Sequence, residues 1–133
     1  MSLPADVNRC FACGKGNPDG LQLDFDYDEK KKSVVSHLNL PARFQGATGF
    51  AHGGIIATLL DEAMAKVNGK GGVRAVTIQL KVLYRKMVPL ETGLILKGRQ
   101  RSHRGKKIYL ESQLLSHDGV LLAEARGIFL QRL

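Results

Sequence analysis

Only one stretch of this 133-residue chain carries the period of a long helix, from Gly54 to about Asn68-Gly69; the flanking segments alternate apolar and polar residues. At about 100° per residue, Ile55, Ile56, Leu59, Leu60, Ala63, Met64 and Val67 fall in one half of the helix wheel and make a wide core face. Before the helix, Leu21, Leu23, Phe25 and Tyr27 point one way while Gln22, Asp24, Asp26 and Asp28 point the other, and Val34, Ser36, Leu38 and Leu40 repeat the pattern. After it, Val76, Ile78, Leu80, Val82 and Tyr84 are expected on one face, with Thr77, Gln79, Lys81 and Arg85 on the other. Three further strand-like runs, about 94–101, 106–116 and 120–131, are separated by turn formers and predict a meander. Two strands, one helix and four strands specify an α+β chain, an antiparallel sheet of about six strands covered by a single helix.

The length suits one domain over 1–133, with a turn-rich segment at 1–20, where Cys10-Phe11-Ala12-Cys13-Gly14 and Asn17-Pro18-Asp19-Gly20 concentrate residues that bend the chain. No apolar window approaches a bilayer span, and Met1 to Arg9 lacks the apolar core of a secretory signal, so no membrane association and a cytoplasmic location are expected. Cys10 and Cys13 are the only cysteines, too few for a disulfide framework. A zinc site needs two more ligands, and no second C-x-x-C or spaced His pair supplies them, so no metal is expected. The formal charge of +8 favours an anionic partner. Without Trp, and without aromatics interleaved with the basic residues, a small anionic ligand is expected and nucleic acid is not.

Two features of the helix invite chemistry. Asp61 lies nearly opposite the centre of the core face, in a stripe with the small residues Ala57, Thr58 and Ala65. An exposed carboxylate is ordinarily just solvated, but small neighbours leave room for a substrate to approach. At the start, His52-Gly53-Gly54 leaves the N–H groups of the first turn without intrahelical partners. The glycines serve a tight turn, or those donors and the positive helix end polarise a carbonyl and hold an oxyanion. Asp61 follows Gly53 by eight residues, about 12 Å of rise along the axis.

The run Gly49-Phe50-Ala51-His52-Gly53-Gly54, six residues, then Asp61-Glu62-Ala63 resembles the G-x-x-H-G-G-x6-D signature of hotdog-fold acyl-CoA thioesterases related to the phenylacetate-pathway enzyme. Val76 to Tyr84 is similar to that family's strand after the helix, and Cys10-x-x-Cys13-Gly14 with Asn17-Pro18-x-Gly20-Leu21 looks like the opening of a subgroup. The resemblance implies a curved sheet wrapped around the helix, and a homodimer or dimer of dimers with active sites between subunits. It implies hydrolysis of acyl-CoA without a cofactor, coenzyme A entering as part of the substrate. Asp61 would be nucleophile or general base, Gly53 would donate its N–H to the thioester oxygen, His52 would shape the loop or bind near that oxygen, and Gly54 would contact the substrate. Thr77 matches a Ser/Thr position that some relatives supply from the partner subunit to position water; it is also simply a good strand former. Relatives often carry Asn six residues before the His, where this chain has Gly46 beside Gln45, so a non-catalytic acyl-CoA-binding or sensing module is the alternative. Glu62 is a second candidate carboxylate. The cations Lys97, Arg99, Arg101, Arg104, Lys106 and Lys107 are expected either to anchor the CoA phosphates or to form a solvated edge.

Overall fold

A computed structural model describes residues 8–132, so the expectation for the extreme N-terminus falls largely outside the described residues. Strands β1 (Asp26–Asp28) and β2 (Ser33–Leu38) precede a 3-10 turn at Ala42–Phe44 and helix α1 (Gly53–Lys70). Strands β3 (Ala75–Tyr84), β4 (Leu94–Arg104), β5 (Lys107–Ser116) and β6 (Leu121–Gln131) follow. One antiparallel sheet results, in the order β1-β2-β4-β5-β6-β3, so β4, β5 and β6 are the expected meander and β3 swings to the far edge. No helix among the described residues is long and apolar enough to cross a membrane.

The helix buries the stripe read from its period: Ile56, Leu59, Leu60, Ala63, Met64 and Val67 are buried, with Ile55 half-buried at the margin. They meet the inward residues of the meander, among them Leu94, Leu96, Ile108, Leu110, Leu114 and Phe129. Two glycines set how close the layers come. A Cβ on Gly98 would lie 2.7 Å from the Ala63 carbonyl oxygen, and one on Gly127 would lie 2.9 Å from Cε of Met64. Beside this contact the buried Ser112 hydroxyl donates to the Leu60 carbonyl at 2.8 Å, fixing the middle of α1 to β5. Gly98→Ala is expected to cost about 1–3 kcal/mol, because its methyl group meets helix backbone, which cannot rotate away. The midpoint of urea unfolding measures the loss, and unchanged stability would show that α1 can move.

Two expectations need correction. The alternation from Leu21 predicts a strand along its length, yet regular pairing covers only Asp26–Asp28. Leu23 and Phe25 are buried as expected, but Gln22 takes φ 51, a left-handed turn that breaks the extended path. In β3 the register against β6 shifts between Thr77 and Gln79, leaving Ile78 as the extra residue of a bulge. Thr77 pairs with buried Phe129, while Leu80, Val82 and Tyr84 pair with Gly127, Ala125 and Ala123 on the same inner face. The bulge therefore puts Thr77 on the helix side with Leu80, Val82 and Tyr84, not opposite them as uninterrupted alternation predicts.

Candidate active site

The loop before α1 is tied down on both sides. His52 N–H donates to the Phe44 carbonyl at 2.9 Å, Ala51 N–H to Val88 at 2.8 Å, and Gln45 Oε1 accepts from Gly49 N–H at 2.8 Å. Gly49 has φ +85, a conformation that favours glycine. Gly46 is pressed on His52: a Cβ there would lie 2.8 Å from the His52 Cα. This loop path has no room for a side chain at 46, and the Gln45 carboxamide closes the turn instead.

His52 is the N-cap of α1, and its Nδ1 accepts the Gly54 N–H at 2.9 Å. The imidazole thus takes one of the free donors of the first turn, fixing Nδ1 as the acceptor. The Gly53 N–H has no acceptor among the described residues, while the Gly53 carbonyl accepts the Tyr84 hydroxyl at 2.8 Å. One strongly oriented donor remains at the positive end of an 18-residue helix. Beside it lies a cavity of about 320 Å³ lined by Phe50, Gly53, Ile56, Tyr84, Arg85 and Lys86, among others.

Two turns along the helix, half-buried Asp61 faces the inner edge of β3, where the Thr77 hydroxyl donates to its Oδ1 at 2.9 Å. The bulge makes this bond possible by turning Thr77 inward. Asp61 and Thr77 therefore meet within one chain. Thr58, by contrast, donates to the Gly54 carbonyl at 2.9 Å and shields the helix backbone. Glu62 points elsewhere, towards Cys10 and Cys13. Burial pushes the Cys13 thiol up, and the Glu62 carboxylate beside it pushes further, while Asn8 and Lys66 act the other way.

The expected cations do not gather around Gly53. Arg99 is ion-paired with Glu111, and Arg101 lies 3.8 Å from the same carboxylate. Lys106 is near the end of β6 through its carbonyl, which accepts from Gln131 N–H at 2.7 Å, and Arg132 N–H reaches the Arg74 carbonyl before β3. The turn carrying Arg104, Lys106 and Lys107 is thus at the C-terminal end of α1, about 27 Å of helix from Gly53. In the same chain the cations beside Gly53 are Arg85 and Lys86. Their signal in the sequence was only position, directly after a strand that returns to the helix start. Tyr84 was legible as a strand residue but not as a partner of Gly53.

No family model matches the chain. It is 29% identical over 132 residues to mouse acyl-coenzyme A thioesterase THEM4, covering 98% of this chain and 55% of that protein. Against mouse acyl-coenzyme A thioesterase THEM5 it is 31% identical over 109 residues, 80% of this chain and 43% of the relative. The chain thus spans about half the length of these relatives. A crystal structure of a thioesterase superfamily protein superposes with TM-score 0.81 at 30% identity, over 86% of this chain and 59% of the other. A Streptococcus mutans protein bound to acetyl-CoA matches with TM-score 0.76 at 25% identity, over 83% and 88%. A hypothetical thioesterase from Streptococcus pneumoniae with coenzyme A matches with TM-score 0.77 at 21% identity, over 83% and 85%.

Proposed function

Because the chain belongs to the hotdog-fold thioesterase superfamily, we propose that it hydrolyses an acyl-CoA thioester to the free acid and CoA, with each active site built from two copies of the chain. The observation that carries this reading is the Asp61 carboxylate held by Thr77 on the helix whose first N–H, at Gly53, is left to a substrate. Thr77 occupies Oδ1 and leaves Oδ2 to act. Asp61 either takes a proton from water as the water adds to the thioester carbon, or attacks that carbon itself, giving an anhydride that water then cleaves. In both routes the oxygen of the thioester carbonyl gains charge, the Gly53 N–H stabilises it, and CoA leaves as the thiolate. Neither route calls on a metal or redox cofactor.

Within one chain, Gly53 and Asp61 are about 12 Å apart along the helix, too far to serve one carbonyl. A second copy closes the gap. β3 is an edge strand with Val76, Ile78, Leu80 and Leu83 exposed, an apolar margin that solvent-facing edges usually avoid. The contacts Thr77 to Asp61 and Tyr84 to Gly53 set β3 against α1. Their midpoints fall near Leu80 and Lys81 on the strand and at Ala57 on the helix. Antiparallel β3–β3 pairing centred there places Ala57 opposite Ala57, where small side chains let the helices approach, and brings Gly53 of one copy to Asp61 of the other.

The relatives named for acyl-CoA hydrolysis and the structures holding CoA or acetyl-CoA support the substrate class. The Streptococcus pneumoniae protein has also been crystallised with an aspartate changed to alanine and, separately, a threonine sixteen positions later. The same separation divides Asp61 from Thr77. Arg85 and Lys86 flank the Gly53 cavity and suit the CoA phosphates; Arg99, Arg101, Arg104, Lys106 and Lys107 reach them only from the second copy. The free thiols suit a reducing compartment such as the cytoplasm. The test is a panel of aromatic, short aliphatic and long-chain acyl-CoA thioesters. Release of CoA from at least one is expected, and tight binding across the panel without turnover would make the chain a binding module instead.

A further inference from the structure

The N-terminal turn is built more exactingly than a connecting segment needs. Gly14 N–H donates to the Cys10 carbonyl at 2.8 Å, closing the loop between the cysteines. A Cβ on Gly14 would lie 2.4 Å from the Cys10 nitrogen, so this path admits only glycine. Leu21 N–H and Leu23 N–H donate to the Phe11 and Ala12 carbonyls at 2.6 and 3.0 Å, and Ala12 is buried in the core. The turn is therefore clamped against the body of the fold with its thiols towards α1.

A third donor meets them there. Glu62 is one residue beyond Asp61, about 100° further round the helix, and so faces the N-terminal turn and not β3. Sγ of Cys10, Sγ of Cys13 and a Glu62 carboxylate oxygen all lie within 4.8 Å of one another. Tetrahedral zinc, with bonds of about 2.3 Å to sulfur and about 2.0–2.2 Å to oxygen, holds its ligands roughly 3.5 Å apart. Small side-chain rotations close that difference. The nearby cation is Lys66, whose Nζ is 3.9 Å from Glu62 Oε1, and the Asn8 amide is 3.6 Å from Cys13 Sγ.

We propose that Cys10, Cys13 and Glu62, with a solvent water as the fourth ligand, bind a zinc-class divalent transition-metal ion that staples the N-terminal turn to α1 beside Asp61. Two thiolates select such an ion over Mg²⁺ or Ca²⁺, which prefer oxygen. Each thiol releases its proton to solvent as its sulfur–metal bond forms, and Glu62 exchanges its contact with Lys66 for the ion. A disulfide would use the two sulfurs alone and give the converging carboxylate nothing to do. The site goes beyond hydrolysis, because its role is to hold one segment against another. In the sequence only two ligands stand together, since Glu62 is distant along the chain and only folding brings it near.

The full chain, purified under reducing conditions without chelator, is expected to carry about one Zn²⁺ per molecule by elemental mass spectrometry. After stripping with EDTA, its thermal midpoint falls by several degrees, and titration with Co²⁺ produces a thiolate-to-cobalt charge-transfer band. That band is lost in the Cys10→Ser, Cys13→Ser double variant and weakened in Glu62→Gln, with far-ultraviolet circular dichroism confirming that both are folded. A wild-type chain with neither zinc nor a cobalt band overturns the proposal. So does full metal content in the folded cysteine variant, or a Cys10–Cys13 disulfide in the reduced preparation. None of these readouts depends on acyl-CoA turnover, so they stand or fall apart from the hydrolase assignment.

Discussion

Asp61→Asn is expected to lower acyl-CoA hydrolysis on the order of a thousand-fold, within the span that a positioned general base supplies. The substitution keeps the shape of the side chain and leaves Thr77 an oxygen to donate to, but the amide neither takes a proton from water nor attacks a thioester. Because Asp61 is only half-buried and makes one side-chain hydrogen bond among the described residues, stability should change by less than about 1 kcal/mol. Release of the CoA thiol measures the first quantity and thermal unfolding the second. Full turnover by the folded variant removes Asp61 from the chemistry.

The second large effect comes from a single backbone atom. Gly53 is the first residue of α1, the position where proline is best tolerated because its missing N–H had no intrahelical partner. His52 already has φ −65 and ψ 139, which suits a residue preceding proline. A Cβ on Gly53 would lie 3.6 Å from the Tyr84 hydroxyl, an ordinary contact. Gly53→Pro therefore deletes the proposed oxyanion donor with little strain, and a loss of roughly 10²–10³ in kcat is expected. Gly53→Ala, which keeps the N–H, should retain most activity. Mixing the two inactive variants then tests whether sites are shared. If Gly53 and Asp61 come from different copies, random reassembly of Asp61→Asn with Gly53→Pro restores about a quarter of wild-type activity, since half the dimers are mixed and each has one intact site. No recovery in a verified mixed dimer places both groups in the same chain.

The order of elements and the buried face of α1 were legible because each rests on a period that survives folding. Ile56, Leu59, Ala63 and Val67 must share a side of any helix, whatever surrounds it. The candidate site was legible at His52, Gly53 and Asp61, which belong to one helix and its N-cap. It became illegible where geometry depends on a local interruption or on distant partners. A bulge adds one residue without a compositional mark, so nothing in Val76-Thr77-Ile78-Gln79 announces that Thr77 turns towards Asp61. Gln22 breaks the first strand through a left-handed turn that a glutamine rarely takes. Glu62 meets Cys10 and Cys13 across some fifty intervening residues, and the cations of β4 stand close together in sequence although Glu111 pairs with two of them, Arg99 and Arg101.

The close seating of α1 at Gly98 and Gly127 bears on where the substrate of the proposed reaction would sit. At those two points backbone and side chain fill the space beneath the helix, so in the proposed reaction an acyl tail would find its room on the outer flank of α1, near Ala65. Substitutions there would then alter which tails are accepted while the residues that keep the fold standing stay untouched. Substrate range and stability would thereby be free to drift independently, a separation that a buried acyl tunnel would not permit.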